Sequence, residues 1–291
     1  MLFPALVSWL LVYFDELPLS LQSDNWLNRW ACWVEEAIAE LFGSVTALAV
    51  ILLMPIAALI VVLELFGGWL LGLLGLIVTV IALIYACGRD NYAEQIHTYK
   101  KALSVQTDAN THQAYNHHLF YRQAIYTVYQ RWFVIMIWFL LLGIAGAVFY
   151  RLCYLLSRRK KNQMKGENDQ EQDLNGSLAE TCATLVSWLD WLPLRLWVLI
   201  VAAATNFSTV FAAVKPEFFG AGEHGVLLDK AIAAWLENTE SNAMQEQPGE
   251  EPTAKIHPLE VVQQTTDRLE TLANSCMVFG LGFVLILMIV F

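Results

Sequence analysis

Residues 185–201 read LVSWLDWLPLRLWVLIV, an apolar run holding one acid (Asp190), one proline (Pro193) and one arginine (Arg195). On an unbroken helix, residues five apart point about 140° from each other, so Asp190 and Arg195 would face different ways. A proline inside a helix removes a donor, clashes with the carbonyl four residues back (Leu189) and pushes the preceding residue (Leu192) off helical angles. The sequence therefore predicts a break here. Asp190 would cap a new helix beginning at Trp191, Pro193 would fall in its first turn, and Arg195 would fold back toward the acid. Each charge left alone at mid-bilayer would cost about 2.5–3.5 kcal/mol, so a partner or a wet cavity is required. Two roles stay open: a cap plus ion pair that fixes the break, or a polar wall facing an anionic ligand.

Other charges stand at similar positions. Arg89 and Asp90 follow Gly88 where an apolar hairpin ends, and Arg131 stands where the chain turns apolar again. If these stretches converge, Arg89, Asp90, Arg131, Asp190 and Arg195 form a candidate ligand pocket suited to a phosphate or carboxylate, because guanidinium groups bind such oxygens in pairs. Other chemistry finds little support. His97, His112, His117 and His118 share one segment, but adjacent histidines diverge by about 100° on a helix. No H-E-x-x-H occurs, so surface or interface histidines are expected rather than metal ligands. The five cysteines form no C-x-x-C and read as small buried hydrophobes. No phosphate-binding glycine loop and no G-x-S-x-G is present. No metal, cofactor or catalytic residue is assigned. Aromatic clusters at Trp132, Phe133, Trp138 and Phe139, and at Trp188, Trp191 and Trp197, read as an interfacial belt, with a stacking platform as the alternative.

The elements that must position these groups are membrane helices. The 291 residues are 57% hydrophobic and only 15% charged, with a mean hydropathy of +0.49. That excludes an ordinary soluble domain and points to a bilayer as partner. The net charge of −10 lies largely in polar loops and near the N-terminus, and no basic domain offers a nucleic-acid surface. No strand-like alternation is visible, so an all-α polytopic membrane protein is expected. Residues 1–44 read as an N-terminal apolar or interfacial segment; its short apolar start leaves open whether 2–14 spans. Residues 45–87 read as a transmembrane hairpin (helices 45–65 and 69–86) turning at Gly67-Gly68, with Gly88 as the C′ residue. Residues 88–131 read as a cytosolic helical hairpin with stripes Tyr92/Ile96/Tyr99/Leu103 and Ala114/His118/Tyr121/Ile125/Val128/Trp132. Such a hairpin offers a surface for a protein partner.

Residues 132–156 are either re-entrant or transmembrane. Gly143 and Gly146 interrupt them, and basic residues lie both before them (Arg89, Lys100, Lys101, Arg122, Arg131) and after them (Arg158, Arg159, Lys160, Lys161, Lys165). A re-entrant pair of half-helices keeps both basic segments in the cytoplasm, as positive residues prefer; one plain crossing would separate them. Non-helical backbone at that depth requires cover by protein or a wet cavity. Residues 157–177 are too polar to offset ordering and read as a disordered linker. Residues 178–237 read as Pro-broken membrane-associated helices, 238–258 as a flexible loop, and 259–291 as a C-terminal transmembrane helix.

These residues resemble a known family. Gly88-Arg89-Asp90 follows a membrane hairpin. Gln130-Arg131-Trp132-Phe133 leads into Ile137-Trp138-Phe139, the Gly143/Gly146 break and Tyr150-Arg151-Leu152. Leu189-Asp190-Trp191-Leu192-Pro193-Leu194-Arg195-Leu196 is the most specific element. With one late membrane helix, the pattern is similar to the AmpE family across nearly the whole chain. The resemblance implies a multi-pass bacterial inner-membrane protein tied to β-lactamase induction, hence to antibiotic resistance, and associated with AmpD, the amidase of cell-wall muropeptide recycling. It also implies a superfamily with CobD/CbiB, membrane enzymes that attach aminopropanol during cobalamin synthesis. Those enzymes carry an acidic E-N-x-x-D motif and a later L-D. The corresponding stretches here, Tyr126 to Arg131 and Tyr150-Arg151-Leu152, carry no acid. A Mg-nucleotide reaction needs carboxylates to hold its ion. The expectation is a non-enzymatic, AmpE-like sensor or modulator binding an anionic small molecule in a charged cytosol-facing pocket. The alternatives are a CobD/CbiB-like amide-forming ligase and a ligand-free membrane scaffold.

Overall fold

The protein is described by a computed structural model. The described residues are 4, 7, 25–39, 43–67, 73–88, 95–101, 117–162, 169–220, 224–245 and 258–290. Among them the chain is helical apart from short turns, with no strand. Four helices are long and apolar enough to cross a membrane, with apolar spans Val45–Leu65, Phe120–Arg158, Leu178–Ala204 and Thr266–Leu287. The chain is an all-α polytopic membrane protein. Two compact units divide it: residues 1–89, 134–191 and 288–291, and residues 90–133 and 192–287.

In the first unit, α1 (Asn25–Val34) buries Leu27, Ala31 and Val34, spaced four and three apart on one helical face, and exposes Trp26 and Trp33 on the other. A single π-helical turn, Glu35–Ala39, follows. Helices α2 (Ser44–Gly67) and α3 (Leu73–Cys87) are nearly all apolar and pack together as the expected hairpin. Residues 68–72, where the turn is expected, lie outside the described residues. Helix α1 meets the hairpin also through Trp26 against Tyr85 (centroids 5.9 Å apart) and the Trp30 indole N–H donating to the Ile51 carbonyl at 3.4 Å. Gly88 ends α3 with φ 72°, its N–H donating to the Tyr85 carbonyl at 3.2 Å. That positive φ is open to glycine and strained for other residues, which explains the C′ glycine.

Helix α5 (Val134–Asn162) packs on both α2 and α3 and is not straight. Gly143 has φ 69° and ψ −161°, a region essentially reserved for glycine. Eight residues of helix would separate Trp138 from residue 146 by about 12 Å. Instead, a β-carbon on Gly146 would lie 2.7 Å from the Trp138 carbonyl oxygen and 2.6 Å from the Leu142 Cβ. The chain doubles back at Gly143, as the re-entrant reading expects, and Gly146 lets the arms touch. Leu141 and Leu142 at the tip are more than half exposed, an apolar end suited to lipid.

The second unit holds the helical residues 95–101, α4 (His117–Val128) with its π-helical turn Tyr129–Phe133, the later part of α6 (Asp169–Ala204), α7 (Phe207–Val214), α8 (His224–Gln245) and most of α9 (Pro258–Val290). The two expected stripes of 88–131 bury against each other: Ile96 and Tyr99 on one side, Tyr121, Ile125 and Val128 on the other, with Tyr99 stacked on Phe120 at 3.7 Å. Residues 102–116, including the expected turn, lie outside the described residues. The apolar span begins at Phe120 rather than Trp132, because no breaker stands between α4 and the apolar residues after it.

Three expectations are corrected. Pro193 lies inside unbroken α6 and Asp190 is mid-helix, not a cap. In an apolar medium, unwinding exposes several backbone groups at once, whereas an interior proline forfeits one hydrogen bond, so the helix persists. The 157–177 linker is helical at both ends, through Asn162 and again from Asp169, while 163–168 lie outside the described residues. The loop at 238–258 is helical through Gln245. In each case a packed helix propagates outward at the cost of one residue's freedom per hydrogen bond gained. The aromatic belt divides as well. Trp188 and Trp191 are exposed, whereas Trp132, Phe133 and Trp197 are core residues of the second unit. There Phe133 meets Trp197 at 5.1 Å, and a β-carbon on Gly280 would lie 2.8 Å from the Trp132 ring.

Candidate functional site

Four charged groups lie buried within the apolar spans: Arg131, Arg151, Asp190 and Arg195, each less than a tenth exposed. Charges at such depth need compensation. Each unit supplies it differently.

In the first unit, Tyr150 and Arg151 stand on the returning arm of α5, seven and eight residues past the reversal. The Tyr150 hydroxyl donates to Asp190 Oδ1 at 2.8 Å, a buried bond between residues forty apart in sequence. The Arg151 guanidinium lies over Gly88: its Cζ and both Nη atoms are 2.6 Å from where a β-carbon on residue 88 would stand. It thus sits at the C-terminal end of α3, where unpaired carbonyls leave partial negative charge that favours a cation. One turn on, the Tyr154 ring stands 5.7 Å from the Arg151 Cζ and 4.7 Å from the Arg158 Cζ. A single aromatic ring thus meets two guanidinium groups, within the range of cation–π attraction.

In the second unit, Arg195 donates to two backbone carbonyls. Its Nε donates to the Phe218 carbonyl at 2.5 Å and its Nη2 to the Gly220 carbonyl at 2.7 Å. The guanidinium fork therefore fixes a turn beyond α7. Arg131 lies on the buried π-helical turn between Gln130 and Trp132, and Gln130 donates to the Tyr126 hydroxyl at 2.8 Å. Tyr129 and Phe133 of the same turn pack on Trp197.

Of the five residues expected to share a pocket, Arg89 and Asp90 lie outside the described residues. Asp190 belongs to the first unit, and Arg131 and Arg195 to the second. The residues the structure brings together are Gly88, Tyr150, Arg151 and Asp190. The spacing argument missed Arg151 and Tyr150, which entered only as part of the family-like pattern: Arg151 is by itself a lone cation in an apolar run, and the Tyr150 hydroxyl bonds a carboxyl forty residues away. Comparison with protein-family models, with curated proteins and with solved structures finds no match for this chain.

Proposed function

We propose that the chain is an AmpE-like bacterial inner-membrane sensor or modulator linked to β-lactamase induction and cell-wall recycling, and that it recognises an anionic small molecule through the arginine cluster of its first unit. One observation supports this reading above others. Gly88, Tyr150-Arg151 and Asp190 come from three sequence-distant stretches, each carrying part of the AmpE-like pattern, and the middle pair touches both of the others: Arg151 covers Gly88 and Tyr150 donates to Asp190. A guanidinium held at a helix end, with a carboxyl oriented by a tyrosine close by in sequence, can take a phosphate or carboxylate while the acid sets orientation.

The test has two arms. Purified protein is heated with and without a 1,6-anhydromuramyl tripeptide, an anionic cell-wall fragment. Binding to the folded state at a hundredfold excess over Kd stabilises by about 2.7 kcal/mol, so the melting temperature rises in the native chain and not in Arg151→Met. In an inducible bacterial host lacking its own copy of such a protein, the native chain alters β-lactamase induction and Arg151→Met, present at equal membrane levels, does not. Equal induction with both forms sinks the proposal.

A further inference from the structure

Helix α7 and the turn after it raise a question that the arginine cluster does not answer. Asn206, in extended conformation, caps α7 by accepting from the Thr209 N–H, and Pro216 follows the C-cap Lys215, so the helix is short by design of its ends. Val210 and Val214 are fully buried, and α7 packs along α8. The flank of that buried face is aromatic. Phe207 stacks on Phe211 at 5.3 Å, Phe211 meets Phe218 at 5.9 Å, and Phe218 meets Phe219 at 5.2 Å. This chain of rings ends outward: Phe207 is 51% exposed and Phe219 is 84% exposed.

An exposed phenylalanine on a loose loop would mean little. Here the loop is held on both sides of Phe219, because Arg195 clamps the carbonyls of Phe218 and Gly220. The one acid in the turn, Glu217, is paired with Lys230 at 2.5 Å, which removes its repulsion from anionic surfaces. Lys215 remains exposed beside it. The apolar span that carries Arg195 ends at Ala204, three residues before α7 begins. The aromatic turn thus follows closely in sequence on a membrane-crossing segment.

We infer that α7 and the Lys215–Gly220 turn form an interfacial anchor. Phe207 and Phe219 insert at the boundary between headgroups and acyl chains, and Lys215 reaches lipid phosphates. The occupant of this surface is the lipid bilayer itself. Phenylalanine supplies the apolar contact and a long lysine stem keeps its charge at headgroup depth, the pattern of in-plane membrane helices. The buried Arg195 is then the brace that holds the anchor at a fixed depth.

The experiment places a nitroxide at Phe219→Cys, and separately at Phe207→Cys, in the full chain carrying Cys32→Ser to remove the exposed native thiol. The protein is reconstituted in vesicles of phosphatidylethanolamine and phosphatidylglycerol. Collision rates with oxygen, which partitions into lipid, and with a water-soluble nickel chelate are compared with those at an aqueous control, Lys101→Cys. The expected result is an oxygen-to-nickel ratio several-fold above the control at both positions. A ratio equal to the control at residue 219 overturns the anchor. Exclusion of both reagents there, as under a covering protein surface, overturns it equally.

Discussion

Gly43 and Gly88 share a positive φ, 82° and 72°, yet their surroundings differ completely. A β-carbon at 43 meets nothing within 4 Å, whereas one at 88 enters the Arg151 guanidinium. Alanine at either position incurs the left-handed penalty of about 1–2 kcal/mol. Gly88→Ala must also displace a buried cation from its helix-end seat. Its unfolding midpoint in detergent should therefore fall clearly further than that of Gly43→Ala. The excess should shrink when Arg151 is replaced by Met, and an equal drop at both glycines would mean that the guanidinium contact carries no weight. Lys100 offers a second, pH-dependent reading. Its ammonium lies 2.8 Å from both Asp267 and Glu270. Hydrogen bonds first to Asp267 and then to Glu270 raise its pKa above the ordinary lysine value of 10.5. A raised folded pKa means that stabilisation is complete below the unfolded value and is lost as pH rises through the folded one. The site is partly solvated, so about 0–1 kcal/mol is at stake. The midpoint gap between the native chain and Lys100→Met should hold from neutral pH to about pH 10, near the free-lysine value, and close above it.

Among the elements, α5 shows most plainly how local sequence and long-range packing share the work. Gly143 was legible as a break because two glycines three apart interrupt an apolar run flanked on both sides by basic residues. The backbone there demands glycine, so Gly143→Ala should destabilise by about 1–3 kcal/mol. Thermal unfolding in detergent checks the loss, and a neutral result would argue for a straight helix. The membrane helices were legible for a similar reason, since length and apolarity are local properties. Pro193 misled because the rule it invokes belongs to helices in water, where freed backbone groups find solvent. Within an apolar span, unwinding costs more than one missing bond. The Tyr150–Asp190 bond and the Arg195 clamp were not legible. The first joins residues forty apart, and the second ends on backbone carbonyls, which leave no mark on residue type. Spacing along one strand of text cannot encode either.

For the molecule in its membrane, the first unit fixes which ends share a face. Helices α2 and α3 are joined by five residues and pack together, so they run antiparallel. Helix α1 touches Ile51 near the start of α2 and Tyr85 near the end of α3, which places residues 43 and 88 at one end of the hairpin. Arg151 then sets the returning arm of α5 at that same end, because its guanidinium covers Gly88. From there α5 runs on to Asn162 through Arg158, Arg159, Lys160 and Lys161, and under the proposed inner-membrane reading such basic residues stay on the cytoplasmic side. Cysteines introduced at Ser44 and Lys165 in a Cys32→Ser background should therefore react with an impermeant maleimide only after cells are opened. A cysteine at Leu70, in the hairpin connection, should react in intact cells. Reaction of positions 44 and 165 from different faces would break the link that Arg151 makes between the hairpin and the re-entrant arm, and with it the geometry on which an anion site in this unit depends.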